Sequence, residues 1–431
     1  MRISTSQIYD AGTLGIQRNQ QGLFTLQNQL STGRRVLTPA DDPVAAAQAL
    51  IVTQSKEIGE QHIDNQANAR AQLNVVESNL GSLVDVLQSV RERVVQARNT
   101  TLTDAQRGFI ATELEIRLGE MLGIANTADG SGQFLFSGYQ GMTRPFAIDG
   151  SSLPIPPATE PPVAYFGDAG ERLLQVGASR LMPTNVSGAE LFMDIRSGNG
   201  TFVTGVGGNG ALINQGSGVI DAGSVTNPAL WSAAVNAHGS FRIEFSNGGS
   251  GLEYQIYNAA NVAMLAAPAS FVSGQAILLQ KTTAPAADFG AQVVVSGTPA
   301  AGDTFTVDPS TSQSLFSTMQ NLITALRTPV GTATYTTAEF TNRMVAEHLN
   351  IDRALDNVSR VRADVGSRLK ELESLTNTSE DVDLQYATSL SDLQDLDYAE
   401  AISQFTQQQV QLEAAQKSFA QISGLSLFSI L

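Results

Sequence analysis

Between Leu73 and Ala97 the apolar residues Leu73, Val76, Leu80, Leu83, Leu87, Val90, Val94 and Ala97 recur in alternating steps of three and four. A stripe with that period fits a helix that buries one narrow face against other helices. The spacing predicts a long helix here, inside a helical region from about 3 to 127. A turn follows at Asn99-Thr100-Thr101, where Thr103 and Gln106 stand as a capping box. Ile110, Leu114, Leu118 and Leu122 then continue as a further helix.

The texture changes near residue 129. "DGSGQFLFSGYQG" is aromatic, bounded by glycines, and reads as a β-hairpin. "RLLQVG", "SFRIEFSN", "EYQIYN", "AQVVVSG" and "DTFTVDP" read as short strands between turn residues, which predicts a sandwich or small barrel-like domain to about 310. After about 312 the helical period returns. Ile351, Leu355, Val358, Val365, Leu369 and Leu372 form one seam with Arg362 as its polar exception; Tyr398, Ala401, Phe405, Leu412, Ala415, Phe419 and Ile422 form another. The fold class is α+β: long N- and C-terminal helices pairing as a coiled coil or bundle, around a central all-β insertion. Near the N-terminus the series Ile16, Leu23, Leu26, Leu30 ends at Gly33, a helix-closing position. Asp42 and Pro43 read as N-cap and first residue of the next helix, with Asp41 adding negative charge at its positive end. This is an elbow between two helices. Both terminal helices carry glutamine where a solvated helix carries charge, as in "QRNQQGLFTLQNQL" and "QFTQQQVQLEAAQ", so these faces are expected to meet other subunits.

Composition narrows the function. Charged residues make up 15% and the net charge is −16, with no basic run, so neither nucleic acid nor an anionic membrane is an expected partner. There is no cysteine, hence neither disulfide nor thiolate metal site. "MRISTSQIYDAG" lacks a cleavable signal and no window approaches a transmembrane span, signals that by themselves read as cytoplasmic. "GVGGNG" (205–210) has no following helix start or acidic partner and is not a nucleotide site. His62, His238 and His348 are scattered, and His348 with Asp352 reads as a surface pair. Asp392, Asp395, Asp397 and Glu400 lack the glycine turn of a calcium loop, and the Asn-x-Ser/Thr triplets at Asn99, Asn185, Asn357 and Asn377 are short enough to be accidental. No catalytic, cofactor or metal site is expected, and the chain does not read as an enzyme.

"LSTGRRVLTPADDPVAAAQAL" resembles the N-terminal signature of the flagellin superfamily of bacterial flagellar proteins. Its "VLTPADDPVAAAQA" is closer to the hook-associated junction branch than to filament flagellin. "ANTADGSGQFLFSGYQG", "SLFSTMQNLITAL" and "LEAAQKSFAQISGLSLFSIL" resemble the same branch, and "VRADVGSRLKELE" is similar to flagellins at large. The likeness covers roughly 1–145 and 312–431. It implies a structural protein joining hook to filament, outside the cell, exported unfolded by the flagellar type III apparatus without a cleaved signal. Its implied partners are a junction protein on the hook side, flagellin on the filament side, copies of itself in a ring, and an export chaperone at the C-terminal helix. It further implies an inner coiled-coil domain of 1–42 and 384–431, disordered in the free monomer, a helical bundle of 43–145 and 312–383 with a β-hairpin, and an outer β domain of 146–311. The assembly interface is then Ile16, Leu23, Leu26 and Leu30 with Phe405, Leu412, Phe419 and Ile422. Gly33, Asp41, Asp42 and Pro43 turn the chain outward, and its return is expected around Thr376–Asp383. A filament flagellin is the nearer alternative; a helical scaffold carrying an enzymatic or sugar-binding β domain is the farther one.

Overall fold

The computed structural model describes residues 5–99, 101–148, 163–207, 213–249, 251–332 and 335–428; the side chains of 5, 6, 8 and 422–428 lie outside that description. Its helices are α1 (Thr5–Thr32), α2 (Pro43–Ala97), α3 (Asp104–Ala125), α4 (Pro228–His238), α5 (Leu315–Arg327), α6 (Thr337–Gln394) and α7 (Tyr398–Phe428). Helices at both ends therefore flank a central β-rich region. The chain divides into two compact units, one of 1–67, 175–180 and 373–431, the other of 68–174 and 181–372.

In the second unit the heptad stripe of α2 is fully buried from Leu73 to Ala97. Arg91 pairs with Asp352 at 2.8 Å, and Arg362 pairs with Glu77, so α2 and α6 run in opposite directions. The seam of α6 differs from the sequence reading by one position. Its buried residues are Ile351, Ala354, Val358, Val361, Val365 and Leu372, while Leu355 and Leu369 are half-buried flanks and Arg362 is exposed. A step of three and a step of four both satisfy a heptad stripe, and the larger leucines mask the small residues that fill it. Helix α3 starts with the expected capping box: Gln106 N–H donates to Thr103 Oγ1 at 3.3 Å, and Thr103 N–H to Gln106 Oε1 at 2.9 Å. It packs along α5, with Arg327 on Glu115 at 2.7 Å.

The expected hairpin at 129–141 is not a ladder. Asp129 Oδ1 accepts from the Ser131 and Gln133 N–H groups, and Gly132 and Gly138 take positive φ, so the segment curls and keeps a single bridge, Ala128–Phe134. Its buried Phe136 joins Phe146, Phe192 and Phe316 in an aromatic cluster with ring centroids 5.1–5.6 Å apart.

The strands are β1 (Phe146–Ile148), β2 (Val163–Tyr165), β3 (Leu173–Gly177), β4 (Arg180–Pro183), β5 (Ile195–Arg196), β6 (Phe202–Val206), β7 (Val219–Ile220) and β8 (Ser224–Val225). After α4 come β9 (Phe241–Gly248), β10 (Gly251–Asn258), β11 (Ala269–Ser270), β12 (Ala276–Lys281), β13 (Ala287–Ser296), β14 (Thr304–Pro309) and β15 (Ser312–Gln313). Five form an antiparallel sheet in the order β11-β10-β9-β14-β6; β12, β13 and β7 form another, with β8 also on β13. Alternate residues of both sheets, including Phe241, Ile243, Phe245, Val293 and Phe305, share one core with Trp231 of α4. Helix α4 has no counterpart in the sequence reading, although Asn227 caps it and Pro228 opens it.

On α6, Glu347 accepts from Asn350 Nδ2 at 2.9 Å and Asn321 Nδ2 at 3.0 Å, with Arg343 also in its field. Burial pushes its carboxyl up to about 7, against the amide donors that favour ionisation. From the ordinary value up to about 7, the folded carboxyl keeps a proton that the unfolded one has lost, so stability falls as pH rises through that window. Urea midpoints at pH 5 and pH 8 should differ in that sense, and Glu347→Gln should narrow the difference. Phe192→Ala should cost roughly 3–5 kcal/mol in the same assay, as a large ring is lost from a packed cluster.

Candidate functional site

In the terminal unit α1 packs on α7 in antiparallel register. Tyr9 meets Phe419 edge-on at 5.1 Å between centroids. Two glycines of α1, and Gly33 just past its end, act as sockets for side chains of α7. A Cβ on Gly12 would come 2.6 Å from the Phe419 ring, one on Gly22 2.7 Å from Gln408 Oε1, and one on Gly33 2.8 Å from the Tyr398 hydroxyl. Heptad logic alone does not point to Gly12 and Gly22, but glycine inside a helical pattern is itself a sign of close approach.

The predicted interface residues lie on these two helices. Ile16, Leu23, Leu26 and Leu30 of α1 and Phe405, Leu412 and Phe419 of α7 are each half-buried; the side chain of Ile422 lies outside the described residues. Pairing the two helices leaves much apolar surface open: Phe24 is 65% exposed and Val410 61%. Leu50 and Ile51 on α2 and Leu384 on α6 are exposed as well. Among the described residues of this unit, those that are buried are Ala45, Ala49, Gln66, Val176 and Ala401. Gln408 Oε1, pressed against Gly22, is buried without a hydrogen-bond partner.

The elbow is built from polar groups. Gly33 has φ +69°, and its N–H donates to Gln29 O at 2.8 Å, closing α1. Asp42 Oδ1 accepts from Ala45 N–H at 3.0 Å, which caps α2 ahead of Pro43. Asp41 turns the other way: its Oδ2 accepts from Thr38 N–H at 2.7 Å and Leu37 N–H at 3.1 Å, fixing the bend rather than the helix end. Both carboxyls are held below their usual range, by Thr38 N–H first at Asp41 and by Ala45 N–H first at Asp42.

The return of the chain lies elsewhere than expected. Helix α6 runs unbroken through Thr376–Asp383, where the sequence has neither glycine nor proline, and Thr378 Oγ1 simply donates back to Ser374 O. The break comes at 395–397. There Leu396 N–H donates to Gly33 O at 2.9 Å, Arg35 N–H to Gln394 O at 2.7 Å, and the Arg35 guanidinium to Leu393 O at 2.9 Å. Asp397 Oδ1 accepts from Ala399 and Glu400 N–H and starts α7. The two turns are thus tied backbone to backbone. Asp397 and Asp395, read earlier only as part of an acidic cluster, are the missed members; the cue was an Asp directly before an apolar-periodic run.

Elsewhere, no group of His, Asp and Glu among the described residues is placed to hold a metal ion. A groove of about 370 Å³ beside α4 is lined by Arg196, Trp231, Asn236 and Pro309 among others, with Arg196 as its lone charge. Of "GVGGNG", Gly205 and Val206 end β6 and 208–210 lie outside the described residues.

The comparisons with known proteins agree with this layout. The bacterial flagellin N-terminal helical region matches residues 3–141, and the bacterial flagellin C-terminal helical region matches 349–431, together about half of the chain. Flagellar hook-associated protein 3 of Escherichia coli strain K12 is 26% identical over 430 residues, covering 100% of this chain and 99% of that protein. The crystal structure of the flagellar junction protein FlgL from Legionella pneumophila is 28% identical, with a TM-score of 0.68 over 81% of this chain and 100% of that one. FlgL of Xanthomonas campestris, 24% identical with a TM-score of 0.66, covers 79% of this chain and 99% of its own and shares the fold. No helix among the described residues is long and apolar enough to cross a membrane. With flagellin regions at both ends and end-to-end likeness to hook-associated proteins, the chain belongs to the flagellin superfamily, in its hook-associated branch.

Proposed function

We propose that this protein is the structural joint between the hook and the filament of the bacterial flagellum, and that its function is assembly. The observation that carries this is the open apolar surface of the terminal helix pair. Full burial of a large side chain such as Phe24 or Val410 is worth about 1.5–3 kcal/mol, so packing among neighbours gains what the isolated pair leaves in water. Each subunit adds Ile16, Leu23, Leu26, Leu30, Phe405, Leu412, Phe419 and Ile422 to a shared tube, in a ring with copies of itself. A junction protein meets it on the hook side and flagellin on the filament side. The same C-terminal helix, kept apolar to its end, is where a cytoplasmic chaperone holds the chain before type III export without a cleaved signal. In the free monomer α1 and α7 open readily, since ordering them fully costs entropy that only the neighbours offset.

A strain lacking the gene should show bare hooks by electron microscopy, with flagellin released into the medium; hooks still bearing filaments would overturn the assignment. Purified protein that polymerises alone into long filaments would favour the flagellin alternative. Phe419→Asp should abolish incorporation while the β-rich region stays folded. Gly12→Val, whose Cβ alone would come 2.6 Å from the Phe419 ring, should do the same. A motile strain carrying either change removes that helix pair from the interface. In the monomer, hydrogen exchange of α1 and α7 should be fast, and slow exchange throughout both refutes their late ordering.

A further inference from the structure

The β3–β4 hairpin is divided between the two units: its tip, Gln175–Arg180, belongs with the terminal helices and its flanking residues with the other unit. Within the terminal unit that tip supplies what the helices lack. Val176 is 0% exposed, and among the described residues it is the unit's one buried aliphatic side chain larger than alanine. Two amides of α2 grip the tip by its backbone: Asn65 Nδ2 donates to Gln175 O at 2.8 Å and Gln66 Nε2 to Val176 O at 2.7 Å. Gln66 is itself 1% exposed, and its Nε2 also reaches Ser379 Oγ of α6 at 3.1 Å. One buried amide therefore ties three segments that are far apart in sequence. Its Oε1 is left without a hydrogen-bond partner, so Gln66 sits there for its donor side.

We propose that the hairpin tip is a strap that orders the α2–α6 pair of the terminal unit in the free subunit. In this unit the buried residues of α2 are Ala45, Ala49 and Gln66, and among the described residues none of α6 is buried, while Leu50, Ile51 and Leu384 are exposed, so the two helices bury too little to hold each other. The inserted valine adds apolar burial and keeps water from the Gln66 bridge. The bridge in turn fixes the register of α2 against α6, with the Lys56–Asp383 pair at 3.0 Å beyond it. The grip is made of neutral amides, so it releases without stranding a buried charge. Order in the free subunit then extends along α2 and α6 as far as the strap and fades toward α1 and α7.

Hydrogen exchange on the full-length monomer tests this, and the test is independent of where the protein sits in the flagellum. With Val176→Ser, amides of 56–66 and 375–383 should exchange at least tenfold faster, while β9 and β10 keep their protection. Unchanged protection in 56–66 and 375–383, with only the tip loosened, would overturn the proposal. Should Val176→Ser lose protection in β9 and β10 as well, Asn65→Ala decides. Faster exchange confined to 175–180 and the adjoining α2–α6 residues supports the strap, and no acceleration there refutes it.

Discussion

An apolar stripe on a helix must be covered, and how completely the chain covers its own stripes separates its two units. From Leu73 to Ala97 the stripe of α2 is buried outright, along with Ile351, Val358 and Val365 of α6. In the terminal unit the equivalent stripes of α1 and α7 are only half covered by each other. The same kind of sequence pattern thus yields a finished core in one place and an unfinished one in the other. The unfinished one is the surface we propose for assembly, since a subunit that satisfied every stripe internally would have nothing left to offer its neighbours.

The elbow shows how a polar device can hold a sharp turn where no core is available. Gly33, Arg35, Gln394 and Leu396 exchange backbone hydrogen bonds across two turns more than 350 residues apart in the chain. Asp41, Asp42 and Asp397 each satisfy N–H groups that a turn or a helix start would leave free. The three aspartates thus shape each turn from its own residues, while the backbone bonds join the two turns to each other.

Much of this was legible from residues alone, where a single physical rule decides. The α2 stripe, the capping box at Thr103 and the strands around Phe241 and Phe305 follow from period and turn chemistry. Errors arose where two rules compete or the cue is not local. The α6 seam was read one position off because Leu355 and Leu369 outshine Ala354 and Val361. The return turn was expected at Thr376–Asp383 only as the partner that the resemblance implies for the elbow, and the residues there include neither glycine nor proline to break α6. Helix α4 was overlooked inside a glycine- and serine-rich stretch. Contacts such as Gln66 with Val176 join residues 110 apart and carry no sequence cue.

The glutamine-rich character of the ends has a consequence for the medium in which the protein works. Helix α1 carries only Asp10 and Arg18 in its 28 residues, and α7 only Glu400, Glu413 and Lys417 in its 31. Of these, Glu413 and Lys417 neutralise each other at 2.8 Å. Amide contacts have no proton to lose and no counterion cloud to be screened. The tube we propose for such helices would hold with nearly the same strength in dilute water and in brine, its cohesion resting on shape and apolar area.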